Sequence, residues 1–159
     1  MANLFPAAWP TAFSGTITDF NKCKSDRSGA LRLEPTQVAV ATSSTIGTIL
    51  GLVPFRKGAR LDLGSNIQTD FVGTASAVSL GYLYYSTAQT SVSNFWTSSS
   101  TIAGNAGGGV LPIAISTANA LWAAVDDGWI VAQIGGATTT ATTANIYGQI
   151  KMTYDSAIS

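Results

Sequence analysis

Histidine is absent from all 159 residues, and Cys23 is the one cysteine. Without histidine there is no Ser-His-Asp or Cys-His nucleophile, no histidine zinc site, and none of the commonest general base at neutral pH. A single thiol excludes a multi-thiolate metal site and a disulfide framework within one chain. Lys22 and Lys24 flank Cys23 and favour its thiolate. With no base partner, however, a free or buried structural thiol is the better reading. No apolar run approaches the ~18 residues of a membrane helix. The opening MANLFPAAWP lacks the basic stretch before an apolar core that marks a secretory signal. No membrane partner is expected, and synthesis in a reducing cytoplasm is.

Charge is also scarce. Charged residues make up 10% of the chain and hydrophobic ones 46%, against roughly 25% charged in ordinary soluble domains. Ser, Thr, Ala and Gly fill the deficit. Disorder pairs low hydrophobicity with high net charge, and here the net charge is zero. A hydroxyl-rich β-protein fits, as does a surface partly hidden in an assembly. So few charges give little protection against self-association, which favours a homo-oligomer.

The charges are unevenly placed. Residues 1–60 carry Lys22, Lys24, Arg27, Arg32, Arg56, Lys57 and Arg60 against Asp19, Asp26 and Glu34, a net of +4. Residues 61–159 carry Lys151 against Asp62, Asp70, Asp126, Asp127 and Asp155, a net of −4. From Phe71 to Val125 there is no charge at all. Dispersed cations without interleaved aromatics make a thin footprint for nucleic acid, so no nucleic-acid partner is expected. An acidic protein partner and a plain solvated face both remain open.

The remaining chemistry is sparse. Asp126-Asp127 before Gly128 lacks the D-x-D-x-D spacing of a calcium loop and reads as a solvated turn. Asp62 and Asp70 on one strand stand about 26 Å apart, too far for a glycosidase pair. Asn105–Gly109 is a flexible loop without the Lys-Ser/Thr of a phosphate loop. Tyr82, Tyr84, Tyr85 and Tyr147 with Trp96, Trp122 and Trp129 could form a sugar platform, though such residues more often pack cores and interfaces. No catalytic residue, metal site or cofactor is expected.

What is present is alternation. Ala59, Leu61, Leu63, Ile67 and Phe71 share one parity, and Arg60, Asp62, Asn66, Gln68 and Asp70 the other. That predicts one long half-buried strand over Gly58–Phe71. A bend at Gly73-Thr74 leads to Val78, Leu80, Tyr82 and Tyr84 on one face, and an antiparallel pair is the natural reading. Further strands are expected over Leu31–Leu33 and Thr36–Ala41, separated by Pro35, and over the buried run Thr45–Val53. Others are an irregular strand within Thr87–Ser100, an edge strand Val110–Ile115 interrupted by Pro112, Trp129–Ile134, and Ala144–Tyr154. Gly135–Thr143 reads as a hairpin connection, and Thr117–Val125 as the one helical candidate. Many short strands and little helix predict an all-β fold, an antiparallel jelly-roll-like β-sandwich over residues 36–159.

Residues 1–35 read as an extended N-terminal arm. Phe5, Trp9, Phe13 and Phe20 are dispersed among prolines and polar residues without a period. Such aromatics can lie in a neighbour's groove or tuck under the chain's own sheet.

Pro54, Gly58, Ala59 and Arg60 lead into the amphipathic strand, Leu80-Gly81-Tyr82 form a variable–Gly–aromatic strand, and a Thr/Ala/Gly-rich stretch precedes an alternating strand ending in Tyr154. Over Thr45–Asp155 this pattern resembles small structural proteins of tailed-bacteriophage virions, most nearly the decoration or cement proteins of phage heads. The resemblance implies a non-enzymatic protein on the outer surface of the head. It would bind the assembled shell, bridge neighbouring subunits of the major capsid protein, and often form a homotrimer. On that reading Trp9, Phe13, Lys22, Lys24 and Arg27 of the arm and Arg56, Lys57 and Arg60 of the basic corner are the candidate capsid contacts. The uncharged centre would face other copies. A tail or fibre component and a carbohydrate-binding sandwich are the alternatives.

Overall fold

Strands account for nearly all the regular structure, and each sits where alternation or a β-branched run places it. The computed structural model describes residues 3–4, 32–62, 64–104, 108–112, 122–140 and 144–154. In chain order the strands are β1 (Asn3–Leu4), β2 (Arg32–Val40), β3 (Ile49–Phe55), β4 (Ala59–Leu61), β5 (Asn66–Thr69) and β6 (Ala77–Tyr84). They continue with β7 (Val92–Ser100), β8 (Gly109–Pro112), β9 (Gly128–Gly135) and β10 (Ala144–Tyr154), with a 3-10 turn at Thr101–Gly104. There is no α-helix among the described residues.

One sheet runs β1-β3-β9-β6-β7 and the other β2-β10-β5-β8, with β4 beside the far part of β10. Every pairing is antiparallel except that of β1 with β3. The order is a mirror. β2 pairs with β10, β3 with β9, β5 with β8, and β6 with β7. The chain is thus one long antiparallel ribbon rolled so that successive rungs fall on opposite sheets, which is a jelly roll. Of the connections, the described residues 41–48, 70–76, 101–104, 108 and 136–140 lie at one end, the four-loop end, and 56–58, 85–91 and 122–127 at the other, the three-loop end.

Local chemistry explains the irregularities. In β3 the register with β9 shifts between Gly51 and Val53, leaving Leu52 without an opposite number. This bulge lets Leu50, Leu52, Val53 and Phe55 all join the core despite their mixed parity. The Leu52 carbonyl accepts a hydrogen bond from the Thr36 hydroxyl of β2 at 2.8 Å. The alternation over Gly58–Phe71 is real in its parity, with Ala59, Ser65, Ile67 and Thr69 buried and Arg60 and Gln68 exposed. It is not one strand, however, because a turn at 62–65 divides β4 from β5. Buried Ser65 bridges that gap: its Oγ accepts the Lys151 N–H and donates to the Asp62 carbonyl, each at 2.9 Å.

Three other expectations are corrected. β5 and β6 do not pair, because the bend at 70–76 carries the chain from one sheet to the other. Likewise 136–143 is a crossover between β9 and β10, not a hairpin. Pro35 does not split β2, since β2 is an edge strand and one side of it needs no N–H. Of the helical candidate, residues 122–125 have no regular structure, and 117–121 lie outside the described residues. By contrast β10 spans Ala144–Tyr154 as read, and β8 is an edge strand ending at Pro112.

Candidate interaction surface at the three-loop end

The corner after Phe55 is fixed by its neighbour across the sandwich, not by its own turn alone. Gly58 has φ +84°, a left-handed conformation that side chains resist, and its N–H donates to the Ala124 carbonyl at 2.7 Å. Ala124 N–H returns a bond to the Ala59 carbonyl at 2.8 Å. The Lys57 N–H donates to Asp127 Oδ1 at 2.9 Å, and the Tyr85 N–H to the Asp127 carbonyl at 2.9 Å. Asp126 Oδ1 accepts the Asp127 N–H at 2.8 Å. Asp127 thus ties together the starts of β4 and β9 and the end of β6. The acidic turn is a structural clasp and not the freely solvated turn expected.

The clasp joins the basic corner to the acidic turn through the Lys57 backbone N–H and the Asp127 carboxylate. Lys57 and Arg60 are exposed and Arg56 is half-buried. Arg60 lies on β4 opposite Thr153, on the outer face of the β2-β10-β5-β8 sheet. Trp9, Phe13, Lys22, Lys24 and Arg27 lie outside the described residues.

Beneath the clasp is a cluster of six rings. Phe55 meets Tyr84 and Trp122 edge-on at 5.8 and 5.5 Å, with interplanar angles of 88° and 89°. Tyr82 sits among Tyr84, Phe95, Trp96 and Trp122 at 5.0 to 5.8 Å. Trp96 closes edge-to-face on Phe95 and Trp122. The rings pack on one another edge-on or tilted, with Phe55, Tyr82 and Trp96 buried, as core aromatics do. Tyr147 and Trp129 of the imagined platform are elsewhere. Tyr147 donates to Asp70 Oδ2 on the outer sheet face, and Trp129 is buried on β9 outside the inter-sheet core.

Burial raises the Tyr82 hydroxyl pKa above its usual value, with Tyr84 adding to the effect. The Tyr84 hydroxyl reaches the Val125 N–H at 3.3 Å, linking ring cluster and clasp. Tyr84, Tyr85, Phe95 and Trp122 stay half-exposed, and Val125 is 54% exposed. Half-exposed aromatics rimmed by charges are the composition of protein–protein contact surfaces.

Both motif glycines have a physical role here. A methyl at Gly81 would run into the Val92 carbonyl oxygen, so the missing side chain lets β7 approach β6 closely at that point. Gly58 supplies the left-handed turn that the clasp grips. On the other sheet, Asp70 Oδ2 also accepts the Asn145 backbone N–H at 3.0 Å, and Gln37 donates to Asn145 Oδ1 at 3.1 Å. Among the described residues no three of His, Cys, Asp and Glu gather closely enough to hold a metal ion.

No protein-family model matches this sequence, and no curated protein sequence matches it. Solved structures do. A chain of the capsid of Ralstonia phage GP4 superposes with a TM-score of 0.64 at 16% identity, covering 84% of this chain and 90% of that one. A chain of the cyanophage Pam1 capsid asymmetric unit gives 0.62 at 14% identity, with 83% and 89% covered. A chain of the acidic stable capsid structure of Helicobacter pylori bacteriophage KHP30 gives 0.50 at 14%, with 79% and 90% covered. At such identities the likeness is one of fold, and it takes in about four-fifths of this chain and about nine-tenths of each of the others.

Proposed function

We propose that this chain is a non-enzymatic structural protein of a phage virion, and specifically a head decoration protein that binds the assembled shell and bridges neighbouring subunits of the major capsid protein. The observation that carries the reading is the whole-length likeness to chains found in three phage capsids. Because about nine-tenths of each is covered by about four-fifths of this one, those chains are of closely similar length. A function made of surfaces also suits a sequence without histidine. Binding that favours the expanded shell over its separated subunits stabilises the shell by mass action.

The three-loop end is the face we assign to the shell, through Arg56, Lys57 and the half-exposed aromatics. Arg60 and the arm residues Trp9, Phe13, Lys22, Lys24 and Arg27 extend the contact, and copies associate, as trimers, through uncharged surface. Since this corner carries both the cations Arg56 and Lys57 and the carboxylates of Asp126 and Asp127, docking relies on close fit more than on long-range attraction. Its salt dependence is therefore weak.

The test is co-sedimentation of the purified chain with expanded heads that lack it, against unexpanded shells and tails. Saturable binding to expanded heads, weakened at least tenfold by charge reversal of Arg56 and Lys57, is the expected result. Binding to tails alone would replace the head assignment with a tail or fibre role. Reversal without effect would remove the corner from the contact.

A further inference from the structure

The outer faces of the two sheets differ in kind. On the β2-β10-β5-β8 sheet the outward-pointing Gln37, Ala39, Gln68, Val110 and Gln149 are all exposed. That is the ordinary wet side of an antiparallel sheet. The β1-β3-β9-β6-β7 sheet has no such side. Trp129 and Val131 alternate with Ile130 and Ala132 of the inter-sheet core and so point outward, yet they are 2% and 0% exposed. Beside them across the ladder stand Pro54 and Gly51 of β3 and Gly81 of β6, buried as well. Ala77 and Ser79 continue the row along β6, also buried. Strands β3, β6 and β9 carry no charge at all, as expected of strands covered on both faces.

That face therefore has a cover. The start of β7 leans over one corner, where Ser93 Oγ donates to Gln133 Oε1 at 2.8 Å. The strands are otherwise committed to the two sheets, which leaves none of the described ones to lie over Trp129 and Pro54. Residues 5–31 lie outside the described residues, but the chain on either side of them is placed. Leu4 pairs with Leu50 at the edge of this same sheet, and because β1 runs parallel to β3 the chain leaves it heading toward Pro54. It resumes at Arg32, opposite Met152 on the other sheet. Residues 5–18 contain Phe5, Trp9 and Phe13 and no charge, which suits a dry, uncharged face. Extended, that stretch reaches up to ~45 Å, whereas β3 to β6 is two strand spacings, ~10 Å. We infer that residues 5–18 lie across the outer face of their own chain's β1-β3-β9-β6-β7 sheet, with their aromatics over Trp129, Val131 and Pro54. The arm is then a third layer of the fold, and β1 is its anchor. This holds whether or not the chain binds a shell, since a segment seated on the sheet still turns its far side outward.

The experiment places a nitroxide on the arm of the full chain, at Ser14→Cys with Cys23→Ser, and reads the backbone amide signals of the isotope-labelled protein. Broadening falls steeply with distance and the sheets stand ~10 Å apart, so the two outer faces are told apart. Gly51, Ser79 and Val131 should lose more than half their intensity, while Gln37, Tyr147 and Gln149 keep theirs. A nitroxide at Thr11→Cys should give the same pattern. Isotope-labelled chains without nitroxide, mixed with unlabelled chains that carry it, should show no loss. Broadening of Tyr147 and Gln149 instead, or of neither face, overturns the inference. So does broadening that persists in the mixed sample, because the cover would then be the arm of a second copy.

Discussion

The two ends of the sandwich are built by opposite means. At the three-loop end six aromatic rings interlock, and a charged clasp closes over them. At the four-loop end small side chains meet short hydroxyl-bearing loops, joined by backbone bonds such as Ser43 N–H to the Thr139 carbonyl at 3.0 Å and Gly47 N–H to the Ile134 carbonyl at 2.8 Å. Backbone strain also divides unevenly. Ser43 and Ala75, the non-glycine residues with positive φ among the described residues, both lie at the four-loop end. One end adds interlocked rings to a hydrogen-bonded clasp, and the other relies on hydrogen bonds between loops without such rings. Large side chains tolerate sliding, whereas hydrogen bonds fix positions.

That contrast is open to attack, beginning where the effect is largest. Phe55→Ala removes the ring that meets both Tyr84 and Trp122 and should cost about 3–5 kcal/mol in urea denaturation. A loss under about 1 kcal/mol would mean that the cluster is not what holds its end. Gly136→Ala attacks the other end: φ there is +70°, and a methyl would run into the Ala75 carbonyl oxygen. The same assay should show a loss of about 1–3 kcal/mol. Thr139→Val removes the shorter of the Ser44 N–H's two acceptors and the hydroxyl's own bond to the Ala41 carbonyl and should cost about 1–2 kcal/mol, while Thr139→Ser recovers most of it. Equal losses for valine and serine would show that shape, not bonding, holds the loops.

The smallest effect is a pH dependence peculiar to the ring end. Because the folded-state pKa of Tyr82 is raised, chiefly by burial and then by Tyr84, its neutral form is the one the fold favours. The associated stability is complete below about pH 10 and lost as pH rises through the folded value. Melting temperatures across pH 8–11 should fall more steeply for wild type than for Tyr82→Phe. Parallel curves would remove Tyr82 as the cause.

Much of this was legible in the chain, and the reasons for the rest are physical. Period-2 alternation is a local property, so β10 could be read to its ends and the parity of Ala59, Ile67 and Gln68 was right. Which strands become neighbours depends on contacts that alternation does not encode. Hence Gly73 was taken for the turn of a hairpin when it begins a crossing between sheets. The break at 62–65 was hidden because Ser65 keeps the inward parity while using its hydroxyl in place of a ladder bond. The ring cluster draws on β3, β6, β7 and residue 122, so no window of sequence displays it. The meeting of Lys57 with Asp127 was equally out of sight, although the opposite charges of the two halves hinted at complementarity.

The position of β10 carries a consequence for how the chain comes into being. The last of the described strands lies in the interior of its sheet, with β2 on one side and β4 and β5 on the other. Until residue 154 has left the ribosome, those earlier strands have no central partner and that sheet cannot close. Strand β9 sets the same condition for the facing sheet, between β3 and β6. Nascent chains therefore emerge with apolar faces uncovered and fold late, through pairings between distant parts of the sequence. A stop codon just before Ala144 would remove the partner of β2, β4 and β5 at once and leave that sheet unassembled.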